Sequence, residues 1–426
     1  MTIDKADNAD DRVEYLPPNR TSAARPTPAA RPQSAMSQLA TCSKDDFRQK
    51  FEQEWMATLQ QVEKPYEVGQ IVEALGSGTS KDAYSLYYTA EITAISENPG
   101  GSSTFTLKYE DGSIDDAMHP LFVRPNTRTT VYEDDLLKVI DGHVAVKGIA
   151  YPARLLSFQS CPQLYQSAVM LVDNIPVHDC FPFEQHQALS LPLALQQDLM
   201  EDGPIRAALI GMGGGNVPMT IRHVAQDSVI MDVVELSREV IAAAVEHFGV
   251  VEDSHLRIHE QDGVAFLEAA EENAFDLILI DAADFESKDC EDDPDALEVP
   301  PPTFVDPAFL VGPLSRALAP DGLCCYNIIA GRRKLVELAR LFQRTFASVY
   351  VMATDPNYFF VGCVRLREAS AEQMVALVKG WKPLCAVVPD VIKHLEKTSE
   401  NLDNTLLGWF SVEQFVRMCE NEEIIA

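Results

Sequence analysis

The feature that most constrains the fold of this chain is a regular alternation of apolar strands and helical segments between residues 207 and 364. The first strand reads AALIG (207–211), and a segment of helical periodicity, Val217–Val224, follows it at once. This succession of a strand and a helix recurs along the chain. The alternation ends with two successive strands, VYVMAT (349–354) and YFFVGCV (358–364). Strands that alternate with helices are typical of a doubly wound, mostly parallel sheet whose ligand lies beyond the carboxyl ends of the strands. The sequence therefore predicts an α/β domain with a binding crevice at one edge of its sheet.

The other segments of the 426-residue chain differ in character. A proline-rich start without apolar clusters predicts a disordered tail, and apolar residues at every fourth position from Phe47 to Leu59 predict an amphipathic helix. Short β runs separated by turn residues predict a small all-β barrel and then a set of hairpins. The resulting division is a tail at 1–40, a helix at 43–63, a barrel at 66–125, hairpins at 128–185 that begin the α/β domain, the main part of that domain at 186–366 and helices at 367–426.

The charge balance restricts the partners of this chain. It holds 34 basic and 65 acidic residues, a formal charge of -31 at pH 7. Such a surface repels nucleic-acid phosphates and anionic lipids, and it favours basic partners. Nine cysteines without a CxxC pair predict reduced thiols, and no apolar run approaches the ~18 residues of a membrane span. We therefore expect a soluble protein of the cytoplasm or nucleus, with no membrane contact and no direct binding to nucleic acid.

A glycine-rich turn follows the first strand of the alternation and opens a helix. It runs from Gly211 through Gly213 and Gly214 to Gly215, a context in which the backbone can approach a nucleotide cofactor closely. A dinucleotide fingerprint would need glycine at the next position, where this chain has Asn216. A nucleoside cofactor without a pyrophosphate therefore fits the turn better than a dinucleotide does.

Acidic residues end three successive strands of the alternation. Glu235 lies twenty residues after Gly215, a spacing suited to hydrogen bonds with both ribose hydroxyls, although a solvated strand end would look the same. Asp262 can accept a hydrogen bond from the exocyclic amine of adenine. Asp281 is the last residue of the apolar strand FDLILID. A role in the crevice is favoured for Asp281, because an unpaired buried aspartate would cost several kcal/mol. Together the three acids predict a nucleoside site at the carboxyl edge of the sheet.

Four strings around these residues resemble the core of the spermidine-synthase-like group, which contains aminopropyltransferases and methyltransferases. They read GMGGG, VVEL, QDG and LILIDAAD, and the likeness extends over residues 128–366. A later string, VPPPTFVDPAFLVGPLSRALAPDGLCCYNII, is similar to the C-terminal half of the methyltransferase-like enzymes that modify the lysine and N-terminal amine of translation elongation factor one-alpha. The resemblance implies S-adenosyl-L-methionine as cofactor and a seven-stranded Rossmann-like class I methyltransferase sheet. The cofactor-binding residues that it implies are Gly211, Gly213, Gly214, Gly215, Glu235, Asp262, Gly263 and Asp281.

Both activities of this group are in-line displacements at a sulfonium, so catalysis depends on positioning the attacking amine and removing its proton. Asp281 is predicted to orient the amine. Asn327, at the end of the fifth strand, offers a carbonyl oxygen to the same nitrogen or simply caps its strand. Asp284 completes a D-x-x-D pattern like that of polyamine synthases, although nothing here matches their Gly-Pro-Ala-Glu-type gatekeeping loop.

Three functions remain open at this point. The first is a protein N-methyltransferase that acts on the N-terminal amine or a lysine of the elongation factor, with the amine favoured because the matching half is the C-terminal one. The second is an aminopropyltransferase that uses the decarboxylated cofactor. The third is an adaptor whose methyltransferase fold is inactive, and the intact glycine turn and strand-end acids speak against it.

Residues 66–125 resemble a Tudor domain through the strings YYTAEITAI, FTLKYEDG and FVRP. Tudor domains hold a methylated ammonium in a box of aromatic rings by cation–π attraction. Tyr88 and Tyr109 lie where two such rings are expected, whereas Gly76 and Gly112 lie where two further rings often stand. The resemblance implies a methylated-peptide ligand, and the alternative is a barrel that serves as a docking module or spacer.

An acidic run extends from Asp284 to Glu298, with eight acidic residues and one lysine. Such runs are usually solvated. Because this one follows the fourth strand directly, it alternatively predicts a collar that attracts a basic protein substrate by long-range electrostatics.

Overall fold

The computed structural model describes residues 66–76, 84–97, 103–146, 149–162, 164–283, 296–354, 356–399 and 407–420. The predicted tail, the predicted helix at 43–63, Asp284 and the acidic run as far as residue 295 lie outside these described residues. None of the helices in the described ranges is long and apolar enough to cross a membrane.

The elements of the described ranges fall into a β-rich first part and an α/β second part. The strands are β1 (Ile71–Leu75), β2 (Tyr84–Glu97), β3 (Ser103–Tyr109), β4 (Ile114–Met118), β5 (Val123–Pro125), β6 (Thr129–Glu133), β7 (Leu137–Val146), β8 (Ile149–Phe158), β9 (Tyr165–Val172), β10 (Ile175–Val177), β11 (Ile205–Ile210), β12 (Val229–Glu235), β13 (Leu256–Glu260), β14 (Phe275–Ile280), β15 (Leu297–Val299), β16 (Leu318–Ala330), β17 (Ser348–Ala353), β18 (Tyr358–Cys363) and β19 (Gly408–Ser411). The α-helices are α1 (Glu184–Ser190), α2 (Gln197–Glu201), α3 (Asn216–Ala225), α4 (Arg238–His247), α5 (Gly263–Ala269), α6 (Pro307–Phe309), α7 (Ser315–Ala317), α8 (Arg332–Thr345), α9 (Ala371–Gly380), α10 (Lys382–Val387), α11 (Pro389–Ser399) and α12 (Val412–Glu420).

Strands β1 to β5 form the small β region predicted from the sequence, in the hydrogen-bonded order β4-β3-β2-β1-β5. Its core contains alternate side chains of these strands, including Val72, Ile92 and Leu107, each 0% exposed. The predicted turn after β3 is present, with Gly112 at a φ of 85° and the Ser113 amide donating to Asp111 Oδ1 at 2.8 Å. A positive φ of this kind favours glycine, which explains the Asp-Gly pair.

The long strand β2 joins this region to the hairpins that follow. Its first residues pair with β7, from Tyr84 opposite Val146 to Leu86 opposite Val144, while its later residues pair with β1 and β3. Strands β1 to β10 therefore belong to one hydrogen-bonded sheet of the described residues. The domain boundary predicted between residues 125 and 128 separates segments that share this sheet.

The second sheet has the order β13-β12-β11-β14-β16-β18-β17-β19. Strands β13, β12, β11, β14 and β16 run parallel, and β18 is antiparallel to β16. Alternate residues of one strand enter different cores, since Leu209 packs with α1, α3 and the C-terminal helices while Ile210 packs with α8 and α12. Cover on both faces explains why the central strands β11 and β14 are largely apolar. The predicted mixed α/β fold is confirmed.

Two strands of this sheet were not predicted. β19 pairs with β17 inside the segment expected to be helical throughout, and β15 pairs with β16 directly after the acidic run. Short strands of three or four residues give little periodic signal, so only the pairing reveals them. Within the described residues the sheet thus contains nine strands rather than the expected seven.

The helical segment at 307–317 is interrupted. A π-helical turn, Leu310–Leu314, separates α6 from α7 and contains Pro313. Proline lacks the amide hydrogen that a regular helical turn requires, and this position therefore favours a local change of helix type.

Candidate functional site

The register of the parallel strands brings the predicted site residues to one edge of the sheet. Ile210 pairs with Val234 and with Ile280, and Ile280 pairs with Tyr326. The residues that follow these positions therefore emerge side by side, and they are Gly211, Glu235, Asp281 and Asn327. This edge is the carboxyl end of the strands, where open α/β sheets bind their ligands.

The glycine turn lies directly against the strand that carries Asp281. Gly211 has a φ of 93°, and a Cβ atom placed on it would lie 2.3 Å from the carbonyl oxygen of Asp281. Gly215 has a φ of 75°, and its Cβ would lie 2.2 Å from Val250 Cγ2. Neither position accommodates a side chain, which explains the glycines. The Gly214 amide donates to Ser167 Oγ at 2.8 Å, so β9 of the first sheet holds the turn from behind.

Glu235 is anchored by backbone amides. Its Oε2 accepts from the Met212 amide at 3.0 Å, and its Oε1 accepts from the Ser237 amide at 3.0 Å. A carboxylate oxygen can accept two hydrogen bonds, so both oxygens retain capacity for a diol. The arrangement fits the predicted role in ribose binding and fixes the carboxylate to the glycine turn.

Two predicted cofactor contacts have structural roles of their own. Asp262 is exposed and caps α5, where its Oδ1 accepts from the Ala265 amide at 2.8 Å. Gly263 is buried, and a Cβ there would lie 2.3 Å from Ile210 Cγ2. The glycine at 263 is therefore required by the packing of α5 on β11. Direct contact with a cofactor stays a prediction for both residues.

Asp281 lies partly buried at the end of β14 and receives a hydrogen bond from an amide. Asn327 Nδ2 donates to Asp281 Oδ1 at 2.8 Å, and Asn327 Oδ1 accepts from Asn357 Nδ2 at 2.8 Å. Burial raises the pKa of Asp281 to about 6, and the hydrogen bond from Asn327 opposes that shift. A carboxyl group with this pKa is mainly ionised at neutral pH, yet it can exchange a proton near that pH.

This chain of hydrogen bonds gives Asn327 a role that was not predicted. Its carbonyl oxygen accepts from Asn357, and its NH2 group donates to Asp281. Asn327 therefore supports the carboxylate, and a contact between its oxygen and an incoming amine stays a prediction. Sequence reasoning missed Asn357, because the segment DPNYFF has only the signal of an ordinary hairpin turn.

Tyr88 and Tyr109 do not form an open aromatic cage. Tyr109 is 5% exposed, and its hydroxyl donates to the Leu75 carbonyl. Tyr88 stacks on Tyr165 with 5.6 Å between ring centroids, and the guanidinium of Arg128 lies 5.5 Å from the Tyr165 ring. The chain's own Arg128 therefore lies over the ring that stacks on Tyr88. A methylated-ammonium site would require Tyr109 to leave its buried position, and such a site at Tyr88 and Tyr109 stays a prediction.

No protein-family model matches the chain. The eEF1A lysine and N-terminal methyltransferase of Mus musculus is 28% identical over 175 residues, which are 39% of this chain and 24% of that protein. The protein of the same name from Bos taurus is 30% identical over 152 residues, 34% of this chain and 21% of its own length. Spermidine synthase 2 of Hyoscyamus niger is 29% identical over 128 residues, 29% of this chain and 36% of that enzyme. The chain thus spans only about a quarter of the length of these methyltransferases.

The solved structures that the chain is similar to include human methyltransferase-like protein 13 in complex with SAH. It covers 48% of this chain and 93% of its own, with 21% identity and a TM-score of 0.42. A probable spermidine synthase from Corynebacterium glutamicum covers 59% of this chain and 87% of its own, with 18% identity and a TM-score of 0.46. The sequence comparisons confirm the predicted resemblance: this chain is similar both to eEF1A lysine and N-terminal methyltransferases and to spermidine synthases.

Proposed function

We propose that this chain is an S-adenosyl-L-methionine-dependent protein N-methyltransferase. The observation that carries the proposal is the contact between the glycine turn and the strand end of Asp281, where a Cβ on Gly211 would overlap the Asp281 carbonyl at 2.3 Å. A turn suited to a nucleoside and a partly buried carboxylate suited to an amine therefore share one crevice. The class I arrangement of seven strands, within the larger sheet, is part of the same proposal.

The residues of the crevice fit the parts of this cofactor. Glu235 would accept from the ribose hydroxyls, and the backbone of Gly211 to Gly215 would lie along the nucleoside. Leu236 follows Glu235 and is 71% exposed, so it offers an apolar surface for the adenine ring. Asp262 would accept from the exocyclic amine. When bound, the cofactor supplies an electrophilic methyl group on a positively charged sulfur.

Asp281 is the catalytic residue in this proposal. An amine attacks only when its nitrogen is neutral, and a carboxylate that accepts its N–H orients the lone pair along the line of displacement. Asn327 holds the carboxylate through the 2.8 Å hydrogen bond to Oδ1. Oδ2 then remains for the amine, whose proton it can hold during the attack.

We propose a basic protein as the substrate. The acidic excess of the chain, -31 at pH 7, and the acidic run before β15 would attract a lysine-rich segment. The names of the similar methyltransferases specify the lysine and N-terminal modification of eEF1A. On that basis the leading substrate is eEF1A, at its N-terminal amine or a lysine, in the cytoplasm.

We also propose that residues 66–125 are a Tudor-like barrel. The strand order β4-β3-β2-β1-β5 and the buried apolar core support a barrel. Because β2 also pairs with β7, the barrel is held at a fixed position relative to the hairpins, which fits a docking role.

An aminopropyltransferase is the second candidate. It is favoured by the similarity to spermidine synthases and by the spacing of Asp281 and Asp284, the latter outside the described residues. In that reaction two carboxylates would orient a diamine rather than a protein amine.

One experiment separates the two enzymes. The full chain is incubated with radiolabelled S-adenosylmethionine and a whole-cell lysate, and separately with labelled decarboxylated cofactor and putrescine. We expect label in a protein of the lysate, and mass spectrometry then identifies the modified amine. Label in spermidine alone would establish the second candidate, and a chain that binds the cofactor but labels neither would support the inactive adaptor.

A further inference from the structure

The amide of Asn327 has two ends of opposite chemistry, and only one of them suits an ionised Asp281. The NH2 end donates to the carboxylate, whereas the carbonyl end would place a second acceptor against it. Asn327 is 7% exposed, so water cannot easily compensate for a reversed amide. Some other group must therefore hold the direction of this side chain.

Asn357 is that group in the described structure. It donates from Nδ2 to Asn327 Oδ1 at 2.8 Å and is itself 7% exposed. The backbone carbonyl oxygen of Asn357 accepts from the Thr354 amide at 2.8 Å and from Thr354 Oγ1 at 3.0 Å. These bonds fix the backbone of Asn357 in the turn between β17 and β18.

We propose that Asn357 is a positioning residue, which holds the NH2 end of Asn327 toward Asp281 and so orients the carboxylate for the amine. This inference rests on the proposed function of Asp281. Asn357 contacts neither the substrate nor the cofactor in this proposal, and it acts only through Asn327.

The inference has a consequence for the ionisation of Asp281. The hydrogen bond from Asn327 opposes the effect of burial on the pKa of Asp281, so a loosened Asn327 lets that pKa rise above about 6. Cys325 on β16 also interacts with Asp281, but burial raises the pKa of its thiol well above the ordinary value and keeps it neutral. In the described residues Asp281 has no salt bridge that would mask this change in its pKa.

The test compares Asn357→Leu and the smaller Asn357→Ser with the parent. Thr354→Val is the matched control, because it removes a hydroxyl from the same turn but leaves the amide chain intact. The first readout is the ratio of the affinities for S-adenosylmethionine and S-adenosylhomocysteine, measured by calorimetry across acidic and neutral pH. The two ligands differ in the methyl group and the charge on sulfur, so the ratio rises as Asp281 ionises. The second readout is the pH profile of kcat.

We expect both Asn357 variants to move the midpoint of the affinity ratio upward by about one pH unit. A shift of this size corresponds to the loss of one hydrogen bond to a charged group. The acidic limb of kcat should move with it, and kcat at neutral pH should fall roughly tenfold while KM for the cofactor changes little. Thr354→Val should leave the midpoint in place. Because all profiles use one amine substrate, its own titration cancels in the comparison.

The outcomes separate this inference from the proposed function. If the parent transfers methyl groups but the Asn357 variants show the parental midpoint and acidic limb, the positioning role is overturned and the function stands. If the parent labels no protein but the affinity midpoint still moves in the variants, the positioning role stands and the proposed function fails. A midpoint that moves equally in Thr354→Val would show a general effect of the turn and would overturn the positioning role.

Discussion

The buried carboxylate of Glu73 and the partly buried carboxylate of Asp281 have opposite surroundings. Glu73 lies where β1 meets the hairpin sheet, is 0% exposed, and has three basic side chains around it. His143 Nδ1 lies 3.0 Å and Arg124 Nε 3.4 Å from its Oε2, while Arg128 Nε lies 3.6 Å from its Oε1. Asp281 has instead the neutral amide of Asn327 at 2.8 Å.

The difference shows how burial acts on a carboxylate with and without positive partners. The arginines compensate the negative charge of Glu73. These ion pairs make Glu73 a link between the barrel and the hairpins. Asp281 lacks such a partner in the described residues, so burial raises its pKa to about 6. A buried carboxylate that is incompletely compensated remains available to a ligand, and it is the one in the crevice.

The largest effect should come from removing the charge of Glu73, the carboxylate that has positively charged partners. Glu73→Gln leaves Arg124 and Arg128 without their counter-charge, and we expect the free energy of unfolding to fall by about 3–5 kcal/mol. Urea denaturation at neutral pH measures it. Glu133→Gln is the control, since Glu133 is 45% exposed and pairs with Lys138 at 3.3 Å. Equal losses in the two variants would remove Glu73 from its linking role.

Asp281, which has no positively charged partner in the described residues, should respond more strongly in activity than in stability. We expect Asp281→Asn to keep the affinity for the cofactor but to lower the rate of methyl transfer about a hundredfold, the loss typical of one positioned polar group. Single-turnover assays with labelled cofactor measure this rate. Asp321→Asn, at an exposed ion pair with Arg365, should leave it unchanged. A parental rate in Asp281→Asn would show that another group orients the amine.

Glu235 is a third kind of carboxylate, compensated by backbone amides alone. We expect Glu235→Ala to weaken cofactor binding by about 1.5–3 kcal/mol, because hydrogen bonds between the charged group and the ribose are lost. Calorimetry with S-adenosylmethionine gives the value. Glu260, its register neighbour on β13, is exposed and provides the control variant Glu260→Ala. An unchanged affinity in Glu235→Ala would place the ribose elsewhere.

The smallest expected effect is on the free energy of unfolding, at Asp281. The substitution there should raise this free energy, whereas Glu73→Gln should lower it. The folded state holds the proton of Asp281 with a pKa of about 6, above that of an unfolded aspartate near ~3.9. The folded state binds more protons in this window, so stability falls as the pH rises through it and stays lower above it. Asp281→Asn should therefore stabilise the chain by on the order of 1–2 kcal/mol at pH values above the window, and not below it. Urea midpoints at about pH 3 and 8, on either side of the window, provide the check; equal differences between variant and parent at both values would contradict the shifted pKa.

Much of the α/β part follows from local patterns. Strands β11 and β14 and helix α3 lie within one or two residues of their predicted limits. Their apolar periodicity persists because both faces of the sheet are covered. The glycine turn was equally readable, since Gly211 and Gly215 fill positions that no side chain can occupy. By contrast, β15 and β19 are defined by pairing alone.

The sequence by itself determined which chemical groups end the parallel strands, because strand order and hydrophobic period are local properties of the chain. It did not determine which partners those groups have. Asn357 reaches Asn327 across 30 positions, and Arg128 reaches Tyr165 across 37. Such contacts depend on how hairpins and sheets pack, and no short-range pattern encodes them. Tertiary structure therefore decided that Asn327 supports Asp281, and that Arg128 lies beside Tyr165, whose ring stacks on the predicted ligand residue Tyr88.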